Sequence, residues 1–367
     1  MSAKAFVVWS LPLTLLFLLL SSADAALKTN WRKALVPLEE ISPGGPPPDG
    51  IPAIDRPEFV TVQEAGKWLN PREPVLAFEL NGEAKAYPLQ IMIWHEIVND
   101  VVGGVPVVVT FCPLCNSALV FDRRVNGEIL DFGTSGMLYK SDLVMYDRKT
   151  HSLWVQMEGR AVVGDLVGVE LKGYPAAIVG WGAWKEAFPS GKVLSRETGY
   201  RRAYGQNPYV GYDDINRPPF LYRGPIDHRF PPMERVLALS YNGEDKAYPF
   251  RLLAEQGVVS DRVGGKEVVI FFQKGAASAL DEPVIAASRD VGATGVFFPM
   301  VDSRRLRFSM RGEGFVDQET GSRWNILGKA TAGPLQGKAL ERVPHVDTFW
   351  FVWSAFRPET AIYGAAR

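Results

Sequence analysis

Short runs rich in apolar residues, interrupted by tight-turn signals, set the pattern of the chain. Runs 75–80 and 84–87 flank Asn81-Gly82. An Asn-Gly pair suits both left-handed positions of a two-residue turn, so this segment predicts a β-hairpin. Pro88 then opens a run, 89–98, with Ile91, Met92, Trp94 and His95 at the mixed spacing of a short helix. Residues 105–111 are β-branched and continuously apolar, which predicts a buried strand ending at Cys112. Runs 143–146 and 153–157 read as further strands with turns between them. The pattern predicts an α+β fold, predominantly β.

The same pattern returns later in the chain. Residues 73–88, EPVLAFELNGEAKAYP, align with 234–249, ERVLALSYNGEDKAYP, at an offset of 161. Val98, Asp100, Gly103, Gly104 and Phe111 meet Val259, Asp261, Gly264, Gly265 and Phe272 at the same offset. With a drifting offset, Asp147, Thr150, Ser152 and Trp154 match Asp317, Thr320, Ser322 and Trp324, and Trp181, Trp184 and Pro189 match Trp350, Trp353 and Pro358. Order kept over this span predicts two tandem, degenerate copies of one β-rich unit. The expected organisation is 1–25 signal peptide, 26–55 Pro/Gly-rich lead-in, 56–210 first repeat and 211–367 second repeat. The lead-in contains PGGPPPDG at 43–50, which disfavours helix and strand alike.

The start of the chain bears on the compartment. Lys4, an apolar run over 5–20 and SSADA at 21–25 have the charged, greasy and small-residue regions of a secretory leader. Pro12 and the short run argue against a retained span. The expectation is an exported protein, periplasmic or extracellular, with no stable membrane span after cleavage. Composition adds little: 367 residues with 47% hydrophobic, 22% charged and a net charge of -1 give an ordinary globular balance. Without a basic excess, a nucleic-acid partner is not expected; an extracytoplasmic protein partner stays open.

The chemistry concentrates in one place. The chain has two cysteines, in Cys112-Pro113-Leu114-Cys115, seventeen positions after His95 in Trp94-His95-Glu96. A single bridge between near neighbours closes too short a loop to staple a chain this large, so metal binding or redox chemistry is the stronger reading. At the 161 offset His95, Glu96, Cys112 and Cys115 face Gln256, Gly257, Gln273 and Ala276. The frame persists in the second copy while all four reactive side chains go.

Two thiolates and an imidazole suit a transition metal, with copper favoured over zinc or iron. The expected ligands are His95, Cys112 and Cys115, with Glu96, water, Met137, Met145 or Met157 as a fourth. The catalytic candidates are the same cysteines with His95 and Glu96. The alternative is a thiol–disulfide oxidoreductase in which Cys112 begins a helix and Pro113 fits its first turn. A non-catalytic extracytoplasmic scaffold is the third reading. His228 and His345 are expected on the surface and His151 at a turn. The Gly/Ser run 132–136 reads as a loop, and Asp122-Arg123 and Asp147-Arg148 as charge pairs.

GIPAID at 50–55, AYP at 86–88, WHEIVND at 94–100, FCPLC at 111–115, FDR at 121–123, FGTSG at 132–136 and MYDR at 145–148 together resemble the DUF3179 family. The resemblance covers about 49–194, with a weaker echo to Tyr363. It implies an exported protein and carries no assigned activity. Asn116 departs from the glycine usual after the second cysteine.

Overall fold

The computed structural model describes residues 26–365 apart from Glu313. The expected leader, 1–25, lies outside the described residues. The fold is predominantly β, with short α-helices. Among the described residues no helix is long and apolar enough to cross a membrane.

Strands Pro74–Leu80 and Glu83–Pro88 pair antiparallel, Leu80 opposite Glu83. Asn81 and Gly82 turn the chain at φ 49° and 81°, the two left-handed positions of the tight hairpin the sequence predicts. Helix Leu89–His95 follows Pro88, whose ring presets a φ of -60°. The helix stops three residues earlier than expected. Glu96 turns left-handed, at φ 58° and ψ -31°, and sends the chain into strand Ile97–Val102. That strand pairs with Val105–Cys112, which pairs in turn with Ser117–Asp122. Val107, Val108, Val109 and Phe111 are fully buried, so the central strand is covered on both faces and needs its unbroken apolar run.

A further sheet runs in the order Ile41–Pro43, Phe132–Tyr139, Asp142–Asp147, Leu153–Val155, Arg160–Val163. Two expectations are corrected here. Residues 132–136 form a bulged strand, not a loop. Their glycines are there for close approach: a Cβ on Gly136, which has φ 74°, would sit 2.0 Å from the Pro46 carbonyl oxygen. The lead-in is likewise not a free arm, because Ile41–Pro43 is an edge strand against Phe132–Tyr139. The expected charge pairs also re-sort. Asp122 pairs with Arg124 at 2.6 Å, and Arg148 pairs with Asp49 and Asp55 at 3.2 and 3.3 Å.

The first elements recur in order 161 residues later as Arg235–Tyr241, Glu244–Pro249, Phe250–Gln256, Val258–Val263 and Lys266–Gln273. Polar contacts recur with them. Tyr87 donates to Asp100 at 2.6 Å and Tyr248 to Asp261 at 2.8 Å. The Trp154 indole donates to Asp147 at 3.0 Å and the Trp324 indole to Asp317 at 2.9 Å. All four of these Asp and Trp residues are buried, which makes them scaffolding.

The uniform offset ends at residue 273. Cys112 lies opposite Ser117, whereas Gln273 lies opposite Ala293, so the short turn 113–116 is replaced by a long connection, 274–292. Ala276 is therefore not the register counterpart of Cys115.

Candidate metal centre

Cys112 is the last residue of its strand and Cys115 lies in the turn that follows. The turn closes with Cys115 N–H donating to the Cys112 carbonyl and Asn116 N–H to the Pro113 carbonyl, both at 3.2 Å. Asn116 ends it at φ 54°. Asparagine is among the few side chains that accept this left-handed geometry, so its replacement of the usual glycine leaves the turn intact. The turn contains no helix. The helix dipole that the thiol–disulfide reading relied on to lower the Cys112 pKa is thus missing.

Both thiols are free and buried, with Cys112 donating to Cys115 across 2.9 Å. Cys115 donates in turn to Oδ1 of Asp142 at 3.2 Å. Asp142 arrives from a different sheet, as the first residue after the two-residue turn Lys140-Ser141. Both turn residues are left-handed, at φ 53° and 67°, without glycine or asparagine. The other Asp142 oxygen accepts the Met157 amide at 2.8 Å. The ligand atoms of Cys112, Cys115 and Asp142 all lie within 4.8 Å of one another, a spacing that can hold a metal ion.

Glu96 is a fourth buried acid, near Asp142 but outside the group of three. Burial pushes its carboxyl up to about 8, with the nearby Asp142 charge adding to the effect. Burial likewise pushes Asp142 up to about 7 and raises both thiols, Cys115 well above its ordinary value. The Glu158 charge adds to the effect of burial on Asp142. Tyr209 and Tyr212, from the segment between strands Lys192–Leu194 and Arg235–Tyr241, lie near the group, their own pKa values raised by burial and then by these acids.

His95 sits apart from the three grouped ligands and both of its ring nitrogens are engaged. Nδ1 lies 2.7 Å from the Pro52 carbonyl, which only accepts, so Nδ1 carries the proton. Nε2 therefore accepts from the Tyr204 hydroxyl at 2.6 Å, and the Thr198 hydroxyl donates to Tyr204 at 2.5 Å. Burial lowers the His95 pKa to about 4, which keeps the ring neutral. Of the expected ligands the structure brings Cys112 and Cys115 together and places Asp142, rather than His95, beside them. Met157 contributes its backbone amide to Asp142.

The remaining histidines divide. His151 is a left-handed turn residue at φ 55°, matched by Gly321 at 72°. His228 is exposed, as expected. His345 is half-buried instead of lying on the surface, with Nδ1 donating to the Val343 carbonyl at 2.9 Å and burial lowering its pKa to about 4.

Asp142 escaped the sequence reading because Lys140-Ser141 carries no Asn-Gly signal. The hairpin that aims it could not be read from residue types. The corresponding hairpin later in the chain ends at the pair Arg311–Gly314, short of any equivalent position. Ser141 forms the wall between the site and a cavity of about 770 Å³. Its carbonyl lies 3.6 Å from the Cys115 sulfur, and Tyr139, Lys140, Tyr222 and Arg223 also line the cavity.

Fold and site define a predominantly β protein with, among the described residues, one buried Cys/Cys/Asp group. The chain belongs to the DUF3179 family, described as a protein of unknown function, whose model matches residues 48–360. Comparison with curated proteins and with solved structures returns no match.

Proposed function

We propose that Cys112, Cys115 and Asp142 bind one divalent transition-metal ion, with Glu96 as the fourth donor. The observation that carries this reading is three buried acidic side chains from two sheets whose ligand atoms lie within 4.8 Å of one another, with the buried Glu96 nearby. Without a cation such a group is held neutral by protons. With one, the anions are paired and the protons leave.

Two thiolates and two carboxylates make a harder donor set than two thiolates and an imidazole. This shifts the preference from copper to zinc, whose borderline character accepts both sulfur and oxygen. The sulfurs have to part on loading. They stand 2.9 Å apart, whereas two thiolates at about 2.3 Å from a tetrahedral ion are about 3.8 Å apart. Elemental analysis of the purified protein, before and after loading with zinc, tests the reading. One ion per chain is expected, and its loss in Cys112→Ser with Cys115→Ser.

A second reading, thiol–disulfide exchange, has one specific observation in its favour. The same 2.9 Å also lets the sulfurs close to a disulfide with a small shift. Two raised thiol pKa values work against it, because exchange proceeds through the thiolate. Oxidised protein that exchanges rapidly with a model dithiol would favour this reading.

We read 1–25 as a secretory leader, which places the site outside the cytoplasm; fractionation of cells producing the full chain checks this. We also infer that the chain arose by duplication of a unit divided near residue 210. The support is the common succession and spacing of strands and helix up to residue 273. In this account the second copy has no site: Glu96 is replaced by Gly257, Cys112 by Gln273, and the cysteine turn by 274–292.

A further inference from the structure

The second half of the chain reaches into the cysteine turn. The Cys115 carbonyl accepts two hydrogen bonds from strand Val346–Phe349, from the Thr348 hydroxyl at 2.9 Å and the Phe349 amide at 3.1 Å. The preceding carbonyl, of Leu114, accepts from the Tyr212 hydroxyl at 3.0 Å, and the Tyr212 ring packs on Phe349 with centroids 6.0 Å apart. Two consecutive carbonyls are thus gripped from outside the first half. The turn's own closing bonds, at 3.2 Å, lie at the long end of the range for N–H···O.

We propose that the second half serves as the cap of the cysteine turn, and that Thr348 is a positioning residue for the metal group. The inference rests on the metal reading given above. The Cys115 side chain hangs from the peptides on either side of it. Rotating either peptide swings the Sγ away from Cys112 and Asp142. Two donors on the Cys115 carbonyl fill both of its lone pairs and fix the following peptide, which leads into left-handed Asn116. Thr348 and its hydroxyl are fully buried from water, so the bond has no solvent competitor.

The contact has a mirror on the opposite side. Strand Ala177–Gly180 of the first half lies against the connection that replaces the cysteine turn in the second. Its Gly180 approaches so closely that a Cβ would sit 2.1 Å from the Gly275 carbonyl oxygen. Each half thus presents the same strand to the other's turn, the reciprocal arrangement of an isologous pair. One turn carries cysteines and the other does not. The strand that covers the cysteines belongs to the half without any, which gives that half a function in the site.

The test uses full-length Thr348→Val, which keeps the shape and removes the donor, with Thr348→Ser as the conservative rescue. Tyr212→Phe, which releases the Leu114 carbonyl, is an independent second variant. Zinc affinity is measured by chelator competition, and the thiolate-to-cobalt absorption of the cobalt-loaded protein reports sulfur geometry. The alkylation rate of Cys115 is measured in metal-free protein. Thr348→Val and Tyr212→Phe are expected to weaken zinc binding by about 10- to 100-fold, the usual range for a group that orients a ligand. Both are expected to alter the cobalt spectrum and speed Cys115 alkylation, and Thr348→Ser to restore all three. Wild-type affinity, spectrum and alkylation rate in both Thr348→Val and Tyr212→Phe would overturn the cap. A wild-type chain that takes up neither metal would instead sink the metal reading, while the alkylation arm still decides the cap.

Discussion

Glu96 and Gly257 occupy the same helix-ending turn, 161 residues apart, at φ 58° and φ 68°. Glycine adopts this geometry freely, whereas a side chain with a Cβ is strained there by about 1 to 2 kcal/mol. The first turn carries that strain and a buried carboxyl besides. Glu96→Gly should therefore raise the stability of the metal-free protein by about 1 kcal/mol in urea unfolding and weaken zinc binding. Glu96→Gln, which keeps the shape and the strain, should weaken binding without the gain in stability. A metal-free Glu96→Gly less stable than wild type would remove strain from the account.

The two raised carboxyls fix the direction of the pH dependence. Glu96 at about 8 and Asp142 at about 7 hold their protons more tightly folded than unfolded, where carboxylates titrate near 4. Their contribution to stability is therefore complete below about pH 4 and lost as pH rises through about 7 and 8. His95 and His345, lowered to about 4, act in the opposite sense, but only below about 6.5. Between pH 6.5 and 8.5 the metal-free protein should lose stability as pH rises. Zinc affinity should rise over the same interval as protons are released. Calorimetry in buffers of different ionisation enthalpy counts those protons, and a count of zero would contradict the site.

Asp142→Asn separates ligand from scaffold. The amide keeps the size and can still accept the Met157 amide, so the fold should change little. Losing the charge should lower zinc affinity by at least about 10-fold, the lower end of what even indirect ligand partners contribute. Chelator competition measures it, and an unchanged affinity would leave Asp142 as a hydrogen-bond acceptor only.

His95 gives the converse. Tyr204→Phe removes the donor to Nε2 and leaves a buried acceptor unpaired, which should cost about 1 to 3 kcal/mol in unfolding free energy. His95→Gln should also destabilise. Both variants should bind zinc with wild-type stoichiometry, since the ring is tied to Pro52 and Tyr204. Loss of the ion in His95→Gln alone would restore the histidine as a ligand.

The frame was readable where local chemistry dictates local structure. Asn81-Gly82 announced its hairpin, Pro88 its helix and the run into Cys112 its buried strand. The two cysteines were legible from spacing. Asp142 was not, because its place depends on pairing between Phe132–Tyr139 and Asp142–Asp147 through a turn whose residues carry no turn signal. The joint absence of His95 and the cysteines from the second copy points to one shared site, while the partners of His95, Pro52 and Tyr204, lie 43 and 109 residues away. The second half's grip on Cys115, across 233 residues, was equally out of reach. Pairing across the chain decided the site, and that is the part residue types alone do not encode.

The most direct measurement is the metal content of the purified full-length protein, loaded with zinc and dialysed, beside Cys112→Ser with Cys115→Ser and beside Asp142→Asn. One zinc per wild-type chain, none in the double cysteine variant and a sharply reduced amount in Asp142→Asn is the predicted result. Wild-type protein that retains no ion, or a double cysteine variant that retains as much as wild type, would contradict the metal centre.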